Sequence, residues 1–315
     1  MNTPLPASIR ALRKTGQQIA TGLVCLLLGG AAHAQTVADA IDDVALFAAL
    51  RDQGGRLVEA GQTVSAETLR GQLVRTQCEL PALPTPATKP MTVAETYAED
   101  CDSVIVIAGV AKFGDGTNWS VNAATAFPIA EPDVFVTNYH VFQDTHAVGF
   151  VGMTRQGKVQ PVVEILAASR VNDVVIIRIP DLGRRPLALR DDAPVGTPVA
   201  VIGHPKLHFY SLSQGIIARY ALAHYAGLAS AGDRLEGAMQ AVANGESRRE
   251  MDVTADYAGG ASGGPILDDR GNVAGLVATT QPAMNGPGNA ATLQMVFKHC
   301  IPAASIRALM ATSRK

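Results

Sequence analysis

The chain has 315 residues, of which 47% are hydrophobic, 17% charged and 5% aromatic. That is enough apolar material for one large domain or two small ones, and too much for a disordered chain. The formal net charge is −2 with no Lys/Arg cluster, which argues against nucleic acid as a partner. Beyond the N-terminus no apolar run reaches the roughly 18 residues that a spanning helix needs, so no stable membrane insertion of the body is expected.

The first segment reads as an export signal over residues 1–34. Arg10, Arg13 and Lys14 form a basic start, residues 19–32 an apolar stretch, and Ala32-His33-Ala34 a small-x-small cleavage pattern before Gln35. A periplasmic or secreted location follows. Cys25 leaves with that segment, and the mature chain keeps Cys78, Cys101 and Cys300. In an oxidising compartment one disulfide plus one leftover thiol is expected, with the pairing open. No metal site is expected: there is no Cys-x-x-Cys, and Pro205 separates His204 from His208 in a way that disfavours one helical face. No cofactor is implied.

Residues 36–77 carry apolar positions near a 3.6-residue period: Val37, Ile41, Val44, Phe47 and Leu50. Gly54-Gly55 is expected to interrupt that helix, and Ser65 to start a second short one. Residues 79–91 hold four prolines and read as a stiff linker, so residues 35–91 form a helical extension plus linker. This extension is expected either to shield a surface of the domain that follows or to act as a prosegment. Residues 92–315 form the main domain.

Within that domain short β-branched runs alternate with turn residues at 103–111, 124–129, 134–138, 148–153, 159–167, 174–179, 198–202, 211–219, 265–267 and 272–279. Such spacing predicts an all-β barrel or sandwich, between which periodicity does not choose. A helix from Ala303 to Ala311 closes the chain.

Gly260-Ala261-Ser262-Gly263-Gly264-Pro265 is the sharpest local feature. A serine on such a tight turn presents its hydroxyl outward, and the N–H groups of Gly260 and Ser262 converge as an oxyanion hole. A hydroxyl needs a base. His140 ends the apolar run that begins at Val134 and is placed to reach a cleft. The imidazole needs an acid, and Asp173 directly precedes Val174-Val175-Ile176-Ile177. Each residue alone has an ordinary structural explanation; the order His, Asp, Ser makes the set a candidate triad.

These strings resemble the trypsin-fold serine proteases, especially the bacterial Deg (high-temperature-requirement) type. The resemblance is carried by TNYHVF at 137–142, NDVVIIRI at 172–179, VAVIGHPKLHFYSLSQGIIA at 199–218, GGASGGPILDDRGNVAGLVAT at 259–279 and VFKHCIP at 296–302. It implies an all-β fold of two packed antiparallel β-barrels, with the helical N-terminal extension and the C-terminal helix outside them. It also implies a peptide-bond hydrolase acting on protein or peptide substrates, with Ser262 as nucleophile, His140 as general base and Asp173 as its orienting carboxylate. Ala278, Thr279 and Thr280 would form the edge that pairs with an extended substrate. Asp256, six before Ser262, would lie at the floor of the specificity pocket and select Lys or Arg, although the Deg type has an apolar residue there and favours small or branched side chains. A surface turn is the ordinary place for such an Asp. Only about 50 residues follow Ser262, too few for the peptide-binding module that the family often appends, so none is expected. A trypsin-fold module that binds peptides without cleaving them is the alternative reading.

Overall fold

A computed structural model describes residues 36, 39–114, 118–223, 248–286 and 292–310. Residues 1–34, expected to be an export signal, lie outside the described residues, as do residues 224–247. No helix among the described residues is long and apolar enough to cross a membrane.

The domain is all-β, with the trypsin-like arrangement of two packed antiparallel sheets. The first sheet has the order β5-β4-β1-β2-β3-β7-β6. Its strands are β1 (Ile105–Phe113), β2 (Asn118–Pro128), β3 (Val134–Thr137), β4 (Gly149–Met153), β5 (Val159–Pro161), β6 (Glu164–Ser169) and β7 (Val174–Arg178). Its two edge strands are consecutive in the chain. At the corner between them Val162 N–H donates to Phe150 O of β4 and Val163 N–H to Arg178 O of β7, so the sheet curls round on itself. The second sheet is a closed barrel in the order β10-β13-β12-β11-β8-β9. It comprises β8 (Pro198–Gly203), β9 (Ser211–Ala223), β10 (Arg248–Val253), β11 (Pro265–Asp268), β12 (Val273–Asn285) and β13 (Thr292–Pro302).

Period-2 alternation explains the continuous apolar runs. Phe135, Val175 and Ile177 point into the first barrel with Ile105, Ile107 and Phe150. Their neighbours Val134, Val136, Val174 and Ile176 point the other way, into a cluster shared with Ile202, Leu267, Leu276 and Ile301 of the second barrel. Both faces of β3 and β7 are therefore buried, and their ends are anchored where the barrels meet.

The extension folds onto this frame. Helix α1 (Asp43–Glu59) lays Leu50 against Val106, Ala108, Val110 and Val151. It does not stop at Gly54-Gly55. A Cβ on Gly55 would lie 2.3 Å from the Trp119 ring, so that glycine serves close approach to β2 rather than termination. Helix α2 (Ala66–Gly71) is capped by Ser65, whose side chain accepts from Thr68 N–H. The proline-rich run is a strap rather than a free spacer. Cys78 pairs its backbone with Met310, the Ala87 N–H and C=O both bond to the Asn272 side chain, and Met91 N–H donates to Asp269 O. Helix α3 (Val93–Asp100) follows, closed by a Thr92/Glu95 capping box. The C-terminal helix spans Ala303–Arg307, shorter than the sequence suggested.

The expected disulfide is not formed. Cys78, Cys101 and Cys300 are all free thiols. Cys101 faces Arg155 and Cys300 faces the Tyr257 hydroxyl across the second barrel. Burial pushes the Cys101 thiol up to about 11 and Cys300 up to about 12, so both stay protonated. Arg248 and Glu250 belong to β10, where they form a buried ion pair.

Candidate active site

Strand β3 ends at Thr137, and the chain enters the short 3-10 helix Tyr139–Gln143 that carries His140. Asp173 sits one residue before β7, which is hydrogen-bonded to β3. Adjacent strands thus bring together two residues 33 apart in sequence. Asp173 adopts a left-handed backbone with φ of 52°, a conformation that Asp tolerates better than most residues. The buried Asn138 side chain donates to Asp173 O at 2.9 Å and holds that turn.

The Asp173 carboxylate accepts from His140 N–H at 2.9 Å and lies 2.9 Å from Nδ1. Its side chain is 11% exposed, against 40% for His140. An acceptor-only group on Nδ1 puts the proton of the neutral ring there and leaves Nε2 as the basic nitrogen, facing outward.

Ser262 lies on the turn that enters β11. The turn is bound to β2: Thr125 N–H donates to Ser262 O at 2.8 Å and Thr125 Oγ1 to Gly260 O at 2.8 Å. It also rests on the loop after β8, where Lys206 N–H donates to Gly259 O at 2.7 Å. Gly260 has a φ of 99°, and a Cβ there would be 2.3 Å from His204 O. No side chain fits. Among the described residues neither the Gly260 nor the Ser262 N–H has an intramolecular acceptor. Two free amides two residues apart on a rigid turn suit a developing oxyanion.

His140, Gly260 and Ser262 line one open cavity of about 230 Å³ with Asn122, Ala123, Ala124 and Val141. The Ser262 hydroxyl donates to Ala278 O at 3.3 Å, and the His140 Nε2 has no hydrogen bond among the described residues. The third link of the set is open.

The remaining sequence candidates fall on the other flank. Ala278 stands at a β12 bulge, between Val277, paired with Cys300, and Thr279, paired with His299. Thr279 and Thr280 are exposed. Asp256 does not form a desolvated floor: its side chain is 91% exposed and pairs with Lys298 Nζ at 3.2 Å. His204 and His208 do not converge. His204 is wholly buried, accepts from Tyr210 N–H on Nδ1, and is pushed down to about 4 by burial, so it stays neutral. His208 is exposed and faces Asp43.

Sequence reasoning assigned no role to Thr125, Asn138, Tyr257 or Lys298. The first two stood inside strings already singled out. Lys298 also stood inside one, VFKHCIP, whereas Tyr257 carried no local signal.

The model of the trypsin-like peptidase domain matches residues 124–276, a span that contains His140, Asp173 and Ser262. An uncharacterized protein of Sinorhizobium fredii, y4bJ, is 29% identical over 164 residues, which is 52% of this chain and 23% of that protein. The chain thus spans about a quarter of that relative's length. Among solved structures, the active form of the Rv3671c protease from M. tuberculosis aligns with a TM-score of 0.51 at 21% identity, covering 73% of this chain and 91% of that one. An inactive form aligns at 0.48 and 20% identity, over 71% and 97%. The likeness to the active form is one of fold.

Proposed function

We propose that this chain is an exported serine endopeptidase of the trypsin fold, acting on protein or peptide substrates through an acyl-enzyme on Ser262. The observation that carries this reading is the Asp173–His140 pair, whose imidazole lines one cavity with a turn-borne serine and two free amides. For this reaction the Ser262 hydroxyl turns from Ala278 O toward the ring. His140 Nε2 then takes the hydroxyl proton as Oγ attacks the carbonyl carbon, and the oxyanion forms against Gly260 and Ser262 N–H. The imidazolium, held by Asp173, returns that proton to the leaving amine. Water, deprotonated by the same nitrogen, releases the acid. The Thr137-to-Phe142 and Gly259-to-Pro265 strings support the Deg type within the fold, and the segment before residue 35 supports export to the periplasm or beyond.

A small alkyl fluorophosphonate tests this by intact mass. One adduct on Ser262 is expected, absent in Ser262→Ala, whose peptide hydrolysis falls by several orders of magnitude. A folded protein that takes no adduct and cleaves no peptide supports a binding module without turnover. That second reading is favoured by one observation, the Ser262 hydroxyl turned to Ala278 O instead of His140.

A further inference from the structure

The Ser262 hydroxyl lies 3.3 Å from Ala278 O, and the free Gly260 and Ser262 amides mark where a substrate carbonyl oxygen is received. A peptide placed with its carbonyl carbon over that hydroxyl and its oxygen on those amides runs extended along Ala278, Thr279 and Thr280. The resemblance to the trypsin fold implies that the side chain just before the scissile bond then enters the gap between segment 257–260 and β12. We propose that Tyr257 fills this gap and restricts that position to glycine, alanine or serine. The inference rests on Ser262 as the acylating residue.

Tyr257 spans the gap from one wall to the other. Its hydroxyl lies 2.8 Å from His299 O and 3.1 Å from Thr279 O, the carbonyls of two residues paired across β13 and β12. Cys300 Sγ is 3.5 Å away. The ring is buried among Val201, Ala261, Val277 and Cys300. Burial also raises the phenol far above its usual range, so it stays a neutral donor to those carbonyls.

Lys298 clamps the residue from behind. Its Nζ donates to Tyr257 O at 2.8 Å, stands 5.1 Å from the ring centroid, and pairs with Asp256. The same lysine that holds the ring therefore holds the Asp256 carboxylate in solvent. The cavity at Ser262 opens on the opposite flank, toward β2 and His140, and none of Ala278, Thr279 and Thr280 lines it. A large side chain meets the ring; a methyl group does not.

The test uses the full chain and three probes: an alkyl fluorophosphonate with no peptide, and two peptidyl phosphonates that differ only in an alanine or phenylalanine side chain next to phosphorus. Wild type is expected to react with the alanine probe at least about 100-fold faster, since a single methylene in a filled pocket already discriminates about tenfold or more. Tyr257→Ala is expected to lower that ratio at least tenfold, and Tyr257→Phe, which keeps the ring, to preserve it. If Tyr257→Ala does not fold, Tyr257→Leu makes the same comparison with a smaller apolar side chain. Equal wild-type rates with the two peptidyl probes overturn the inference alone, as does an unchanged ratio in a Tyr257→Ala protein that still takes the fluorophosphonate. No fluorophosphonate adduct on wild type overturns the reading of Ser262, and the inference with it.

Discussion

Asp173→Asn exchanges one carboxylate oxygen for an amide nitrogen and keeps the side chain's size. In the wild type one oxygen accepts from His140 N–H and the other faces Nδ1, each at 2.9 Å. An asparagine keeps the first bond with its amide oxygen, so the 3-10 helix stays in place and melting should change little. Its NH₂ group then faces Nδ1. That nitrogen must become an acceptor, and the ring proton moves to Nε2, where a base is needed. The variant also loses the charge that stabilises the imidazolium. The expected loss in kcat/KM is about 10⁴-fold, or about 5 kcal/mol of transition-state stabilisation. The assay is cleavage of a quenched fluorogenic peptide library, run beside the rate of fluorophosphonate labelling; both should fall together. A fall of less than about tenfold, in a protein with the wild-type melting curve, would refute the role given to Asp173.

Thr125→Val keeps the shape but removes the hydroxyl that holds Gly260 O; kcat is expected to drop about 10- to 100-fold with little change in KM, because one oxyanion donor loses its fixed position. Asp100 is 2% exposed, paired with Arg185, and raised by burial to about 6. A folded-state value above the unfolded one means the folded protein binds the proton more tightly, so this stability is present below about pH 4 and lost as pH rises through about 6. The shift amounts to roughly 3 kcal/mol. Asp100→Asn should flatten the melting temperature between pH 4 and 7, and an unchanged slope would count against it. Leu50→Ala, at a fully buried contact between α1 and the first sheet, should cost about 2–5 kcal/mol in denaturant unfolding, whereas a cost near zero would show that the extension is only loosely docked.

Much of this molecule is written locally. The β-branched runs mark most strands because a pleated chain with both faces buried needs apolar residues throughout, as Val134 to Val136 and Val174 to Ile177 show. The glycine at 260 marks the turn because that φ excludes a side chain. The candidate residues His140, Asp173 and Ser262 were named from strings a few residues long. The two-barrel fold came from the resemblance those strings carry, since periodicity alone could not choose between barrel and sandwich. Strands β10 and β13 escaped because their charged or exposed residues break the apolar pattern: Arg248, Glu250 and Asp252 on one, Thr292 to Met295 on the other. Helix α1 passes through Gly54-Gly55 because a tryptophan 64 residues later needs the space, and propensity does not see such a partner. The thiols stay unpaired, and Asp256 faces water, for the same reason. Which way a side chain points, and what stands opposite, depends on strands far apart in sequence. Tyr257 is the clearest case: its neighbours in the chain say nothing, and only the meeting of β12 with β13 places two carbonyls around its hydroxyl.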